Sequence, residues 1–349
     1  MVRSVDVSTF LSAPGLMLDV RSPGEYADGH IPGAIRFPLF TNEERAMVGT
    51  CYKQEGRDRA IGLGLELVGP KLADFVKTAK QLAGGTEIPL QVHCWRGGMR
   101  SGSMAWLLET AGFKVITLTG GYKAFRRWVR DTCAMPKPIL TLGGMTGTGK
   151  TAILHKLAQL GEPVLDLEAL ANHRGSSYGA LGLDPQPTNE QFENDVAIAW
   201  AALPVNKPIW IEAESRRIGL CRVPPELFQQ MMSAPIVQVV RSRAERVDIL
   251  VEVYKIAPVE ELINATQRIH KKLGGLRTQE AIAHIQQNRL ADACDMILDY
   301  YDKTYQYDLE RRGVDVQTVD VTGLSATAAA KKLQAEARCR SSPTPLANV

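Results

Sequence analysis

Cys94 heads the segment HCWRGGMRSG (93–102), where a short apolar run ends and a helix-like segment begins. At such a junction the backbone N–H groups of a tight, glycine-containing loop converge with a helix N-terminus on the loop's centre, which favours a thiolate or an oxyanion there. Arg96 and Arg100 add positive charge, and Gly97 and Gly98 let the chain close tightly. Cys94 is therefore expected to carry a lowered pKa and to act as a nucleophile. The competing reading, an inert strand-end cysteine, is disfavoured by two glycines and two arginines in the same loop. A second chemically loaded segment is GMTGTGKT (144–151), which lies between the apolar run ILTL and the helix-like TAILHKLAQL. Its backbone N–H groups from Gly144 through Thr146, Gly147 and Gly149 can wrap a phosphate, Lys150 can neutralise it, and the Thr151 hydroxyl can bind magnesium.

The second segment fits the Walker A pattern in full: Gly144, four residues, Gly149, Lys150, Thr151, in the required strand-to-helix context. A further acid is needed to orient a cation, and Asp166, Glu212 and Glu214 lie at the ends of predicted strands. Thr151 with Asp166 is the expected magnesium pair. Glu212 and Glu214 are candidate substrate or magnesium contacts, or surface partners of Arg216 and Arg217. None of these acids closes a run of four apolar residues ending in Asp, so strong ATPase activity does not follow. A pyrophosphate-bearing substrate would use the same cradle. ALANHRGSSYG (169–179) lies just after a predicted strand, where substrate loops of open α/β sheets sit; His173 and Arg174 could meet phosphate there, or the loop is plain surface.

These two loops need two scaffolds. At 349 residues the chain exceeds the usual single-domain size. Apolar runs at 17–21, 34–38, 90–94 and 115–120 alternate with helix-like segments, predicting an α/β domain with a mainly parallel sheet over 1–134. The two prolines of MPKP (135–138) mark the boundary. A second α/β domain is predicted over 139–335, with strands at 139–144, 163–167, 208–214, 235–240 and 316–321 and a helical C-terminal part. Residues 336–349 read as a disordered tail. The segment 40–75 reads as an insertion too polar and glycine-rich for a core, with Cys51 a weak second thiol.

Composition narrows the function classes. Six scattered cysteines give neither a disulfide framework nor zinc spacing. No apolar run suits a membrane span or a signal peptide, so a cytoplasmic protein without membrane contact is expected. With a net charge of only +3, nucleic-acid binding requires a local basic face; KAFRRWVR (123–130), RSRAER (241–246) and Arg268 with Lys271 and Lys272 are the candidates, each also readable as a solvated helix face.

The N-terminal half resembles the rhodanese family through DVRSPGEYADGHIPGAIRFPL (19–39), the Cys94 loop and LTGGYKAFRRW (118–128), in order. The resemblance implies that Cys94 handles sulfur or selenium. Five residues separate Cys94 from Arg100, one more than in many single-domain rhodaneses; that spacing is also similar to Cdc25-type phosphatases and arsenate reductases, whose loops hold a tetrahedral oxyanion. Rhodanese signatures followed by a P-loop domain with LDLEALANHRGSSYG and IEAESRRIG resemble the tRNA 2-selenouridine synthase family over about residues 5–335. That resemblance implies a transferase that replaces the sulfur of wobble 2-thiouridine in tRNA with selenium from selenophosphate, through an S-geranyl intermediate made from geranyl diphosphate. It implies no tightly bound cofactor beyond magnesium. A sulfurtransferase fused to a kinase or ATPase, a phosphatase, and a nucleotide-gated binding module with an inert Cys94 remain the alternatives.

Overall fold

The structure, a computed structural model, describes residues 2–341, and the chain divides into two compact units, Met1–Thr132 and Cys133–Val349. The first is built on five parallel strands: β1 (Arg3–Val5), β2 (Leu16–Asp19), β3 (Ile35–Arg36), β4 (Leu90–His93) and β5 (Val115–Leu118), in the order β1–β5–β4–β2–β3. β4 is buried along its whole length, as a strand with helices on both faces must be. Leu18, Leu90, Val92 and Val115 pack there against Met104, Ala105 and Leu108 of the helix Met99–Thr110. β1 was not foreseen, because three residues with one apolar side chain give no periodic signal.

The insertion at 40–75, expected to be too polar and glycine-rich for a core, nonetheless contributes Phe40 and Val68 to one. It forms two helices, Asn42–Gln54 and Arg57–Val68, and a short turn leading into a third, Leu72–Ala83. Thr41 and Glu44 cap the first helix reciprocally, and Lys71 pairs with Glu44. Sparse apolar residues suffice because only one stripe faces inward: Cys51, Ala60 and Val68 are buried. Burial, together with Glu55 beside it, pushes the Cys51 thiol up, which disfavours a role as a second nucleophile.

The second unit carries β6 (Ile139–Gly143), β7 (Val164–Leu165), β8 (Ile209–Glu212), a small antiparallel ribbon of β9 (Arg217–Ile218) and β10 (Cys221–Arg222), β11 (Ile236–Val240) and β12 (Val316–Asp320). Its main sheet is parallel in the order β12–β11–β6–β8–β7. β6 is therefore central, and its C-terminal end faces the crevice where open α/β sheets bind ligands. The segment between β11 and β12 is helical, as predicted, ending in the 23-residue helix Leu290–Arg312. One expectation is corrected at the C-terminus: Ala326–Ser341 is a helix, so regular structure runs past residue 335. Its Ala, Lys, Gln, Glu and Arg content is what favours a helix. The remainder of the expected tail, 342–349, lies outside the described residues. Among the described residues no helix is long and apolar enough to cross a membrane.

Candidate functional site

Cys94 leaves the end of β4, and the chain turns through 95–98 into the helix Met99–Thr110. Two glycine contacts fix this turn. Gly97 has φ +64°, and a Cβ there would lie 2.5 Å from the Leu118 carbonyl oxygen; a Cβ on Gly121 would lie 2.3 Å from the Cys94 oxygen. The Tyr122 N–H donates to Cys94 O at 2.8 Å and the Lys123 N–H to Trp95 O at 2.9 Å. The LTGGYKAF segment is thus the base on which the cysteine loop is moulded.

The thiol is buried, with Sγ 3.2 Å from Ser101 Oγ. Burial alone would raise its pKa. The Ser101 hydrogen bond, the Arg100 charge and the Ser101 and Gly98 N–H groups outweigh that effect and hold Cys94 below the ordinary thiol range. Ser101 Oγ also lies 3.2 Å from Gly98 O, so formation of the thiolate turns the single hydroxyl proton toward sulfur. Arg96 is exposed at the loop's rim. Arg100 is held by Glu25, Nη1 to Oε2 at 2.7 Å. Burial pushes the Glu25 carboxyl up, but Arg100, the Ser22 N–H and Arg45 bring it down to about 2.

Glu25 therefore stabilises the fold above the ordinary carboxylate range, and that contribution is lost as pH falls from about 4.5 toward 2. Glu25→Gln is expected to melt below wild type at pH 7, and the gap to close progressively below pH ~4.5, as followed by thermal melts across that range. Behind the loop, Arg21 and Asp19 form a fully buried pair at 2.6 Å, with the guanidinium 3.8 Å from the Tyr122 ring centroid. Removing one partner of such a pair costs about 3–5 kcal/mol, since the other is stranded. His93 is also buried; desolvation brings its pKa down to about 4, so it is neutral and serves the core.

The phosphate loop follows β6, and its glycines again answer to contacts. Gly147 has φ +83° with its Cβ position 2.7 Å from Arg246 O, and Gly149, φ +81°, opens the helix Lys150–Gln159. Arg246 is buried, paired with Asp302, and donates from Nε to Thr146 O at 2.8 Å; Arg241 donates to Thr148 O at 3.2 Å. These arginines bind the loop's carbonyls. RSRAER is therefore neither a solvated face nor an RNA contact at these two positions, while Arg243 pairs with Asp295 and Asp299. Lys150 Nζ reaches back to Gly144 O at 2.9 Å, across the cradle.

Beside Lys150 stand three carboxylates, Glu168, Glu212 and Glu214, with one oxygen of each within 4.8 Å of the others. Burial raises all three pKa values, and repulsion from neighbouring carboxylates adds to it at Glu168 and Glu212, against the opposing pull of Lys150. Thr151 Oγ1 donates to Glu168 Oε2 at 3.0 Å. Glu212 is 1% exposed, and its Oε1 has no hydrogen-bond partner. Crowded hard oxygens, a hydroxyl and an orphaned buried carboxylate oxygen fit a divalent cation such as magnesium. The structure places Asp166 elsewhere: it caps the helix Leu167–Ala171 through Ala169 N and pairs with His155 at 2.7 Å. Glu168, two residues on, is the acid that reaches Thr151. Glu212→Gln is expected to raise the melting temperature of the metal-free protein, by removing a buried like charge, while weakening Mn2+ binding at least about tenfold by paramagnetic resonance titration.

The loop 172–179 covers this cluster. Gly175, φ +63°, lies so close that a Cβ would approach Glu168 Oε1 and Glu214 Oε2 at 2.7 Å. His173 is buried against Gly179 and Gly219, and desolvation with the nearby Arg268 and Arg174 lowers its pKa. Arg174 donates to Leu181 O at 2.7 Å. Both residues hold the lid-like loop in place.

A family model described as the tRNA 2-selenouridine synthase AAA domain matches residues 137–330, and a rhodanese-like domain model matches 6–127. The tRNA 2-selenouridine synthase of Pseudomonas syringae pv. syringae (strain B728a) is 35% identical over 341 residues, covering 86% of this chain and 90% of its own. That of Alcanivorax borkumensis (strain SK2) is 36% identical over 343 residues, covering 88% and 92%. The chain belongs to the tRNA 2-selenouridine synthase family. In this tRNA 2-selenouridine synthase family member, the sequence pointed to Cys94, Arg100, Lys150, Thr151, Glu212 and Glu214 but not to Glu25, Ser101 or Glu168, and it gave Arg246 only as part of a basic cluster. Ser101 had a legible signal, since it falls in the first turn of the helix after the thiol; Glu25 and Arg246 did not, since only folding brings them to their loops.

Proposed function

We propose that the protein is a tRNA-modifying transferase that replaces the sulfur of wobble 2-thiouridine with selenium from selenophosphate, after S-geranylation by geranyl diphosphate. The observation that carries this reading is one chain holding both a thiol poised to ionise, at Cys94, and a phosphate cradle with an adjoining carboxylate cluster, at Lys150.

In the first step the P-loop N–H groups and Lys150 bind the diphosphate. The uridine sulfur attacks C1 of the geranyl group, the C–O bond breaks, and the electron pair leaves with the diphosphate. Preorganised donors stabilise the charge that develops there. Thr151, Glu168, Glu212 and Glu214 would hold a magnesium ion, which supplies further neutralisation of the diphosphate when bound. In the second step the selenium of selenophosphate attacks C2 of the S-geranylated uridine, the C2–S bond breaks and geranylthiolate departs with the electron pair; water then cleaves the Se–P bond, releasing phosphate and leaving selenium on C2. The helix N-terminus, Arg96, Arg100 and Cys94 receive the anionic selenium donor. Exposed Lys123, Arg127 and Arg130 share one face of the helix Gly121–Ala134, whose start supports the cysteine loop; they give tRNA phosphates a basic surface. No tightly bound organic cofactor enters this scheme.

The test is to incubate purified protein with 2-thiouridine-containing tRNA, selenophosphate and geranyl diphosphate, and to analyse the nucleosides by mass spectrometry. The expected result is 2-selenouridine formed only when both co-substrates are present. ATP hydrolysis with unselenated tRNA would instead identify a sulfurtransferase joined to an ATPase.

A further inference from the structure

The two helices of the insertion, Asn42–Gln54 and Arg57–Val68, do more than cover the first unit's core. Between them and the first turn of the helix Met99–Thr110 lies a groove of about 170 Å3. Val48, Tyr52, Ile61, Leu65 and Met99 form its apolar wall, and Arg57, Arg100 and Ser103 are its polar residues. Three of the wall side chains remain well exposed, Tyr52 at 59%, Leu65 at 67% and Met99 at 53%. Large apolar side chains gathered around one concavity mark a ligand or partner surface, whereas singly scattered ones need no explanation.

Two observations narrow the occupant. Arg100 lines the groove and is also the guanidinium whose charge lowers the Cys94 pKa, so the groove runs into the reactive loop. Arg57 adds a second cation among the lining residues, so the apolar wall is accompanied by positive charge. A free hydrocarbon would have no use for that charge, whereas an apolar group carried on a polyanion would use both parts. We propose that this groove seats the prenyl chain of S-geranylated uridine in tRNA, with nucleic-acid phosphate at Arg57, and so presents C2 of the base to the Cys94 loop. The inference rests on the geranylated intermediate proposed above. It makes the groove the device that selects the prenylated over the merely thiolated base for the selenium step, and it gives the insertion a chemical purpose.

The experiment measures binding of full-length protein to two anticodon stem-loop RNAs by fluorescence anisotropy, one bearing 2-thiouridine and the other its S-geranyl derivative. Wild type is expected to bind the geranylated RNA at least about tenfold more tightly, because the chain leaves water only in that complex. Leu65→Glu and Tyr52→Ser, both at exposed positions, should lose that preference while binding the thiolated RNA as before, and cells expressing them should accumulate geranylated nucleoside. Variants that keep the full preference would overturn the groove. Equal binding of the two RNAs by wild type would also overturn it. A shift in oligomeric state on Leu65→Glu, measured by sedimentation, would instead assign the groove to contact between copies. Absence of any geranylated nucleoside from wild-type reactions lacking selenophosphate would refute the parent reading, which is a separate outcome.

Discussion

Cys94→Ala protein is expected to lose 2-selenouridine formation by at least about a thousandfold and to leave S-geranyl-2-thiouridine in its place, as read by mass spectrometry of tRNA nucleosides. The size of the effect follows from what is removed. Loss of the thiol around which the donor pocket is built leaves only the binding contribution of the rest of the loop, and that loop is itself tuned to sulfur. Ser101 Oγ, the Arg100 charge and two backbone N–H groups all act on this one atom. Alanine leaves the loop closed, because Gly97 and Gly121 rather than the thiol determine its path. The P-loop chemistry should therefore continue, and its product should build up for want of a second step. Cys94→Ser makes a useful companion, since it keeps the shape and a hydrogen bond but ionises far too weakly to replace a thiolate.

Lys150→Ala should produce the opposite block, with prenylation reduced about 10^2- to 10^3-fold and no geranylated nucleoside accumulating. The ammonium lies across the cradle on the Gly144 carbonyl, beside three carboxylates whose ionisation it favours. Its removal deprives the departing diphosphate of a preorganised cation and leaves the carboxylates facing one another. The substitution is therefore expected to weaken diphosphate affinity as well as turnover, a combined loss visible as a higher KM and a lower kcat for geranyl diphosphate.

Much of this arrangement was legible in the sequence, for reasons that particular residues make clear. β4 (LQVH) alternates apolar and polar residues, β6 (ILTLG) is mostly apolar, and both are short and followed at once by glycine-containing loops, so the position of their active ends could be read. Local spacing also carried Lys150 and Thr151, because the phosphate cradle is built from one continuous stretch. Glu168 escaped notice because Asp166 occupies the more conventional strand end, and only the turn of the following helix directs the later acid toward Thr151. Arg246 lies a hundred residues from the carbonyl it braces. The insertion was read as too polar and glycine-rich for a core because its apolar stripe is thin, yet Thr41 and Glu44 stood at capping-box spacing and announced the start of its first helix. Its outward apolar residues are one wall of a groove.

The most direct measurement bypasses the first step. Lys150→Ala protein, given selenophosphate and an anticodon stem-loop RNA already carrying S-geranyl-2-thiouridine, should form 2-selenouridine at close to the wild-type rate, while Cys94→Ala given the same RNA should form none. Failure of Lys150→Ala protein to use the pre-geranylated RNA, although it is folded and binds that RNA, would contradict a division of labour between the phosphate loop and the thiol loop.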